Sequence, residues 1–232
     1  MFQGKMKAIT FSYDDAVTQD IRLIEIFNKY GLKGTFNLNS ERLGQSGELL
    51  REGVTVSFNK VRPEDVRSVY AGHEVASHTL THPTLTKLDD DAEIIRQVEQ
   101  DRQKLSQLAG YEVVGFAYPG GGVNHSEHIA RLIRENTGIR YCRTTVPAPD
   151  FEPQKDLYLF KPTVYHHGEW DRMVELAEEF LAMKADRPQI LYIWGHAFEF
   201  DIHDDWAKFE EFCKHISGRS DIFYGTNKEV LL

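Results

Sequence analysis

Short apolar runs alternate along the chain with amphipathic stretches, a pattern typical of repeated strand and helix units. The amphipathic stretches predict helices at residues 18–30, 63–70, 89–109, 127–136, 171–184 and 204–216. The apolar runs predict strands at residues 7–12, 34–38, 74–77, 113–118, 140–144, 157–164 and 190–194. Residues 43–59 interrupt the alternation and are interpreted as an inserted loop or hairpin. The pattern therefore predicts an α/β fold, a distorted or incomplete (β/α) barrel of about seven strands.

Length and composition favour one domain over residues 1–232. The chain has 232 residues, 41% of them hydrophobic, which is enough for one sizeable core. No internal repeat, low-complexity tract or linker-like segment divides it. We therefore expect a single catalytic or binding unit.

The charge of the chain limits its partners. A formal net charge of -9 and a pI of about 5.6 are unsuited to nucleic acid or an anionic membrane surface, since both need clustered positive charge. No apolar stretch of signal-peptide or membrane-spanning length occurs, so a cytoplasmic location is expected. The remaining expectation is a small-molecule or oligosaccharide substrate. Nothing in the sequence indicates an oligomeric state.

The two cysteines, Cys142 and Cys213, are too few for a disulfide framework and are not spaced like thiolate metal ligands. They are interpreted as buried thiols. A metal site would therefore have to use histidines and carboxylates.

In (β/α) barrels the reactive groups collect at the carboxyl ends of the strands. Asp14 and Asp15 follow the first predicted strand. Neighbouring side chains within a strand face opposite sides, so both can serve one site only if the chain turns there. The alternative is that one of them caps the helix predicted to begin near Thr18.

Two histidines follow the third predicted strand, in the segment Ser77-His78-Thr79-Leu80-Thr81-His82-Pro83. If this segment makes a helical turn, His78 and His82 present both imidazoles to one metal ion. With one carboxylate from the Asp14-Asp15 pair they would form a three-ligand set that leaves a coordination position open for water. The alternative is that they are ordinary surface or core histidines.

Glycines and a further histidine follow two other predicted strands. In Tyr118-Pro119-Gly120-Gly121-Gly122, the backbone N–H groups of Gly120 and Gly121 could approach a substrate as oxyanion donors, unless the segment is only a tight turn. His196 ends the apolar run Leu191-Tyr192-Ile193-Trp194-Gly195 and would lie at the barrel mouth, or else in the core.

Together these segments resemble the polysaccharide deacetylase family, carbohydrate esterases related to the nodulation chitooligosaccharide deacetylases. The family motif Thr-Phe-Asp-Asp-Gly resembles Ser12-Tyr13-Asp14-Asp15-Ala16, and His-Ser/Thr-x-x-His-Pro matches residues 78–83. By this resemblance, which extends from Lys7 to about His196, Asp14 is the catalytic base and His196 the catalytic acid. Asp15, His78 and His82 would be the metal ligands.

The chain departs from two other family motifs. In Arg-x-Pro-Tyr/Phe-Gly the arginine tethers the catalytic aspartate, but here Ala117 takes its position and Gly120 replaces the aromatic residue. Arg143, at the end of the following predicted strand, is our candidate to orient Asp14. A tryptophan and acid that pair with the catalytic histidine have no clear counterpart, and Trp170-Asp171 is only a weak substitute.

The resemblance implies a metal-dependent hydrolase that removes acetyl groups, N-acetyl preferred, from a carbohydrate. Zinc is the expected ion, with cobalt, nickel or another divalent metal as alternatives. Tyr118 and Trp194, with the aromatic residues Tyr13 and Phe198, could stack on a sugar ring or be ordinary barrel packing.

Two other functions stay open. One is a related metal hydrolase of a non-carbohydrate C–N bond, favoured if the inserted segment 43–59 closes the mouth. The other is a metal-containing carbohydrate-binding protein without turnover, motivated by the missing motif arginine. Tyr165-His166-His167 and His203 are interpreted as surface or rim residues, with a second metal site as the alternative.

Overall fold

The computed structural model describes residues 2–232. Its strands, in chain order, are β1 Lys7–Asp14, β2 Gly34–Leu38, β3 Glu48–Arg51, β4 Val54–Ser57, β5 Glu74–Ser77, β6 Gly115–Ala117, β7 Tyr141–Arg143, β8 Val164–Tyr165, β9 Gln189–Gly195 and β10 Ile222–Tyr224. Its α-helices are α1 Asp20–Tyr30, α2 Val66–Val69, α3 Asp91–Ala109, α4 Glu127–Asn136, α5 Trp170–Ala182, α6 Glu199–Ile202, α7 Trp206–Ile216 and α8 Asn227–Leu231. Among the residues described, no helix is both long and apolar enough to cross a membrane.

One curled parallel sheet forms a half-barrel. Its strands run in the order β7-β6-β5-β2-β1-β9-β8, and β10 pairs with the first residues of β1. Between the edge strands β7 and β8 there is no strand pairing. A connecting segment crosses this gap instead, because Phe160 bonds to Cys142 of β7 and Thr163 bonds to Tyr192 of β9. The predicted incomplete (β/α) barrel is confirmed.

The strand predicted at residues 157–164 is wrong over most of its length. Leu157–Leu159 form a short 3₁₀ helix, whose start is capped by the Asp156 carboxylate accepting from the Tyr158 N–H. Only the final residue of the predicted run belongs to a strand, Val164–Tyr165. Pro162 lies inside the run and has no N–H to donate to a ladder, which explains why pairing begins only after it.

The inserted segment is a hairpin. β3 and β4 pair antiparallel, with Arg51 opposite Val54, so Glu52 and Gly53 form a two-residue turn. Both turn residues have positive φ, 55° at Glu52 and 80° at Gly53, as a type I′ turn requires. This hairpin lies beside the carboxyl ends of the barrel strands. Its residues Leu49 and Arg51 line a cavity at that end of the barrel.

Polar side chains fill the lower part of the barrel. Glu74 is buried and accepts hydrogen bonds from the Thr35 and Tyr141 hydroxyls, and Asn227 of α8 bonds to Thr10 and Tyr192. The larger apolar core lies between the sheet and the helices around it. Strand β10 and helix α8, which the sequence pattern did not predict, therefore close the barrel floor and leave its opposite end open.

Candidate metal centre and active site

A sharp turn after β1 brings two neighbouring aspartates to one site. Asp14 is the last strand residue, and the chain then enters the left-handed region at Asp15 (φ 83°) and Ala16 (φ 52°). This turn breaks the strand alternation, so both carboxylates face the barrel mouth. The helix-capping alternative is wrong, because α1 begins at Asp20 and Gln19 occupies the N-cap position.

The two histidines meet through an irregular loop. The helical turn that the sequence suggested between them is absent. Positive φ values at Thr79 (69°) and His82 (66°) fold the loop back, and the ring centroids of His78 and His82 lie 4.8 Å apart. The His78 Nδ1 lies 2.8 Å from the Ala117 carbonyl oxygen, which can only accept. The Nδ1 atom therefore carries the proton, and the Nε2 lone pair is free for a ligand bond.

Asp15, His78 and His82 form a candidate metal site. Each offers one ligand atom, and these atoms all lie within 4.8 Å of one another. The Asp15 Oδ1 atom is buried without a hydrogen-bond partner and lies 3.6 Å from the His82 Nε2. Burial lowers the pKa of His78 to about 4, and burial also lowers that of His82, so both imidazoles are neutral near pH 7. The three donors fit a divalent cation with an open position.

Asp14 is held by two neighbours and offers its second oxygen to the site. The Arg143 Nη2 lies 2.5 Å from both carboxylate oxygens, and the Asn37 amide donates to Oδ1 over 2.8 Å. Burial would raise the pKa of Asp14, but Arg143 and the neighbouring histidines offset it and lower the pKa below its usual value. Asp14 is therefore an ionised carboxylate. Its Oδ2 lies 3.9 Å from the Nε2 of His78 and 4.0 Å from that of His196.

Arg143 reaches Asp14 from the edge strand β7, which is separated from β1 in the sheet by β6, β5 and β2. Its side chain is fully buried, and its guanidinium lies 4.5 Å from the Trp194 ring centroid. The family position of the tethering arginine is Ala117, whose register partner on β7 is Arg143. The contact that the sequence hypothesis requires is thus present, and the guanidinium comes from the adjacent strand.

His196 is oriented by a carboxylate that sequence reasoning missed. Its Nδ1 donates to the Glu199 Oε1 over 3.0 Å, which leaves Nε2 facing Asp14. Burial would lower the pKa of His196, but the carboxylates of Glu199, Asp14 and Asp15 raise it to about 9. The only sequence signal was an acid three residues after the histidine. Trp170, half of the proposed substitute, packs against Phe212 instead.

Glu199 is a shared acceptor for several donors. It is buried, and its Oε1 accepts from the Tyr165 hydroxyl and also from the Arg51 Nη1, the latter over 2.7 Å. His166 Nε2 donates to Oε2 over 2.8 Å. Burial would raise the pKa of Glu199, but its contacts with His196 and His166 keep it well below its ordinary value.

All five proposed catalytic and metal-binding residues line one cavity of about 550 Å³. Gly120, Gly121, Trp194 and Phe198, which the sequence indicated as oxyanion or substrate-binding candidates, also line it. A Cβ on Gly120 would lie 2.8 Å from the Thr84 Oγ1, which explains the absence of an aromatic side chain at this position. The remaining lining residues are Leu49, Arg51, Phe58, Gly122, Thr145 and Tyr165.

The proposed role of Tyr118 in substrate binding is wrong. Residues two apart on a strand share a face, and Tyr118 packs with Phe116 in the apolar cluster under α4. Its hydroxyl donates to the Tyr158 carbonyl over 3.0 Å. Tyr13 is likewise fully buried, against Phe27 and Phe209. The aromatic residues that line the cavity are Phe58, Tyr165, Trp194 and Phe198.

The half-barrel carries paired carboxylates and histidines at its mouth. Comparison with protein families identifies the class of protein to which it belongs. A family model for polysaccharide deacetylase matches residues 3–142. This is more than half of the 232 residues, and the chain belongs to the polysaccharide deacetylase family. Membership supports a hydrolase that acts on carbohydrate acetyl groups. No curated protein sequence matches the chain significantly.

Solved structures share the fold at low sequence identity. A candidate polysaccharide deacetylase from Mycobacterium smegmatis has a TM-score of 0.69 at 18% identity, over 98% of this chain and 90% of that one. A family 4 acetyl xylan esterase from Clostridium thermocellum, in complex with a cobalt ion, has a TM-score of 0.59 at 15% identity, over 97% and 90%. A CE4 family pseudoenzyme from Bacillus anthracis has a TM-score of 0.54 at 17% identity, over 97% and 66%.

Proposed function

We propose that this protein is a metal-dependent deacetylase that hydrolyses N-acetyl groups of a carbohydrate, with Asp15, His78 and His82 as the metal ligands. The observation that carries the proposal is the meeting of these donors with an ionised Asp14 and a Glu199-bound His196 in one cavity. A site for metal binding alone has no need of a base and an acid beside the ligands. Zinc suits the donor set, and cobalt or nickel are alternatives.

The bound ion would supply an activated water and polarise the acetyl carbonyl. Asp14, kept ionised by Arg143, accepts the proton of the attacking water. The backbone N–H groups of Gly120 and Gly121 stabilise the developing oxyanion. His196, protonated through its contact with Glu199, donates from Nε2 to the departing amine.

The size of the cavity favours a compact substrate. Its volume of about 550 Å³ lies within the usual range for small-molecule sites, and the hairpin residues Leu49 and Arg51 wall one side. The cavity lining also includes the partly exposed aromatic side chains Phe58 and Tyr165, against which a sugar ring can pack. The hairpin wall is also the observation that favours a second candidate, hydrolysis of a small non-carbohydrate amide.

The test is a substrate panel with metal-reconstituted protein: short N-acetylated oligosaccharides, their O-acetylated analogues and simple acetamides, with released acetate as the readout. We expect the highest kcat/KM on the N-acetylated sugars. Faster hydrolysis of simple acetamides would favour the second candidate. Sugar binding without acetate release from any substrate would contradict both and indicate a protein without turnover.

A further inference from the structure

We propose that Glu52, His167 and His203 form a second divalent-cation site, which fixes the hairpin of β3 and β4 at the rim of the barrel. The two imidazole Nε2 atoms converge on the Glu52 carboxylate, His167 at 2.7 Å from Oε1 and His203 at 3.0 Å from Oε2. The three ligand atoms lie within 4.8 Å of one another. Two imidazoles and one carboxylate suit zinc and similar borderline cations.

The three ligands come from segments that are far apart in sequence. Glu52 lies in the hairpin turn, His167 follows β8, and His203 is the C-cap residue that follows α6. The His167 side chain is only 9% exposed, and its ring stacks on that of His203 at 5.5 Å between centroids. Glu52 adopts a φ of 55°, which non-glycine residues seldom do, and its carboxylate is directed toward both rings. The donors are therefore already gathered.

The surroundings of this cluster favour a cation. His167 and His203 open on a cavity of about 480 Å³ that lies outside the barrel mouth. The carboxylates that line it are Glu169, Asp171, Asp205 and the paired Glu199, against the two cationic side chains Arg172 and Lys208. A cation bound by His167 and His203 would therefore lie next to a cavity whose lining carries more carboxylates than cationic side chains.

Binding at this site would act on the catalytic cavity through the hairpin. Arg51, next to Glu52, donates to Glu199, and so does His166, next to His167. Leu49 and Arg51 form one wall of the catalytic cavity. A cation that joins the hairpin turn to the segments after β8 and α6 would thus hold this wall in place without entering the cavity.

The experiment counts bound zinc and measures hairpin protection in the full-length protein. Chelator-stripped protein is equilibrated with zinc, and bound equivalents are determined by elemental analysis after dialysis. Hydrogen exchange of the amides of residues 48–57 is followed with and without zinc. The variants are Glu52→Asn and the pair His167→Ala/His203→Ala. Glu52→Asn creates an Asn-Gly turn, which suits a type I′ hairpin, and removes the carboxylate.

The matched control is the pair His128→Ala/His215→Ala, because each of these exposed histidines is also paired with a carboxylate, Asp91 and Glu178, but belongs to no three-ligand cluster. We expect two zinc equivalents and zinc-dependent hairpin protection in the wild type and in this control. Both ligand variants should bind one equivalent and lose the protection. Bound zinc that is unchanged by Glu52→Asn and by His167→Ala/His203→Ala, whether the wild type holds one equivalent or two, would overturn the proposal.

Discussion

Two clusters of two histidines and one carboxylate differ in how their atoms are held: the inner cluster of Asp15, His78 and His82, and the rim cluster of Glu52, His167 and His203. In the inner cluster, Asp15 and His78 are buried and the Asp15 Oδ1 has no hydrogen-bond partner. In the rim cluster, Glu52 and His203 are exposed, and each oxygen of Glu52 already has an imidazole partner. A cation at the inner cluster relieves an unsatisfied buried oxygen, whereas one at the rim must replace existing contacts. We therefore expect tighter binding inside.

The neighbours of the two clusters differ even more. An ionised Asp14 and a raised-pKa His196 flank the inner cluster, each oriented by its own buried partner. Within the described residues, the rim cluster has no comparable pair of oriented acid and base. The geometry of the ligands is therefore not enough to distinguish a catalytic centre from a simple metal site. The distinguishing feature is the oriented base and acid beside the ligands.

The largest effect is expected when the ligands of each cluster are removed in turn. His78→Ala/His82→Ala should abolish the tightly bound metal and lower deacetylation to the uncatalysed rate, because the water-activating ion is lost. His167→Ala/His203→Ala should retain the tight metal and most of the activity. Elemental analysis and acetate release measure both. Unchanged tight metal in the His78/His82 variant would show that the inner assignment is wrong.

A second substitution separates the base from the ligand beside it. Asp14→Asn should keep the metal but lower kcat by roughly 10²–10⁴, because an amide cannot accept the proton of water. Asp15→Asn, one residue away, should weaken metal binding itself. The comparison needs kcat and metal content for both variants. Full activity in Asp14→Asn would remove the proposed base.

A third substitution tests the orientation of the acid. The folded pKa of His196 is raised to about 9, in part by Glu199, so the protonated acid persists up to that pH and is lost above it. Glu199→Gln removes the negative charge, so the pKa of His196 should fall toward its ordinary value of about 6.5. The alkaline limb of the kcat profile should then move to lower pH, with a loss of roughly 10-fold or more at pH 8.

The control for this test is a second substrate with a better leaving group. An activated acetyl ester needs little protonation, so His196→Ala and Glu199→Gln should affect it far less than an acetamide. A kcat profile for Glu199→Gln that fell uniformly at all pH values would indicate a purely structural role for Glu199.

The sequence predicted the inner cluster better than what surrounds it. Asp14, Asp15, His78 and His82 lie in short motifs at or just after the carboxyl ends of strands, so strand order alone brings them to one end of the barrel. Arg143 could be proposed because its strand neighbours the one that carries Ala117.

The partners of His196 and the rim cluster depend on packing between distant segments. Arg51 reaches Glu199 across 148 residues, and Glu52 reaches His167 across 115. No local pattern encodes such contacts. The positive φ values at Ala16, Thr79 and His82 could not be predicted from the sequence either, because none of these residues is a glycine. Tertiary packing holds them in conformations that local propensity disfavours.

The prediction with the smallest effect on catalysis concerns stability and Asp20, a third carboxylate close to the inner cluster. It is buried, its Oδ2 accepts from the Tyr70 hydroxyl, and its Oδ1 has no partner. Burial, with the nearby Asp15 and Asp14, raises its pKa from 3.8 to about 8. Between these values the folded protein holds a proton that the unfolded chain has released, so stability falls as pH rises through this window.

Asp20→Asn removes this titration and keeps an acceptor for Tyr70. In chelator-stripped protein, we expect the variant to match the wild type near pH 4 and to gain unfolding free energy as pH rises, by on the order of 2–4 kcal/mol at pH 8. Urea unfolding at each pH measures it. Asp186→Asn, at an exposed aspartate, is the control and should show no such trend. A constant difference for Asp20→Asn from pH 4 to 8 would mean that Asp20 is ionised in the fold. Burial beside the inner cluster would then not raise the pKa of a neighbouring carboxyl group, and this difference from the exposed rim cluster would disappear.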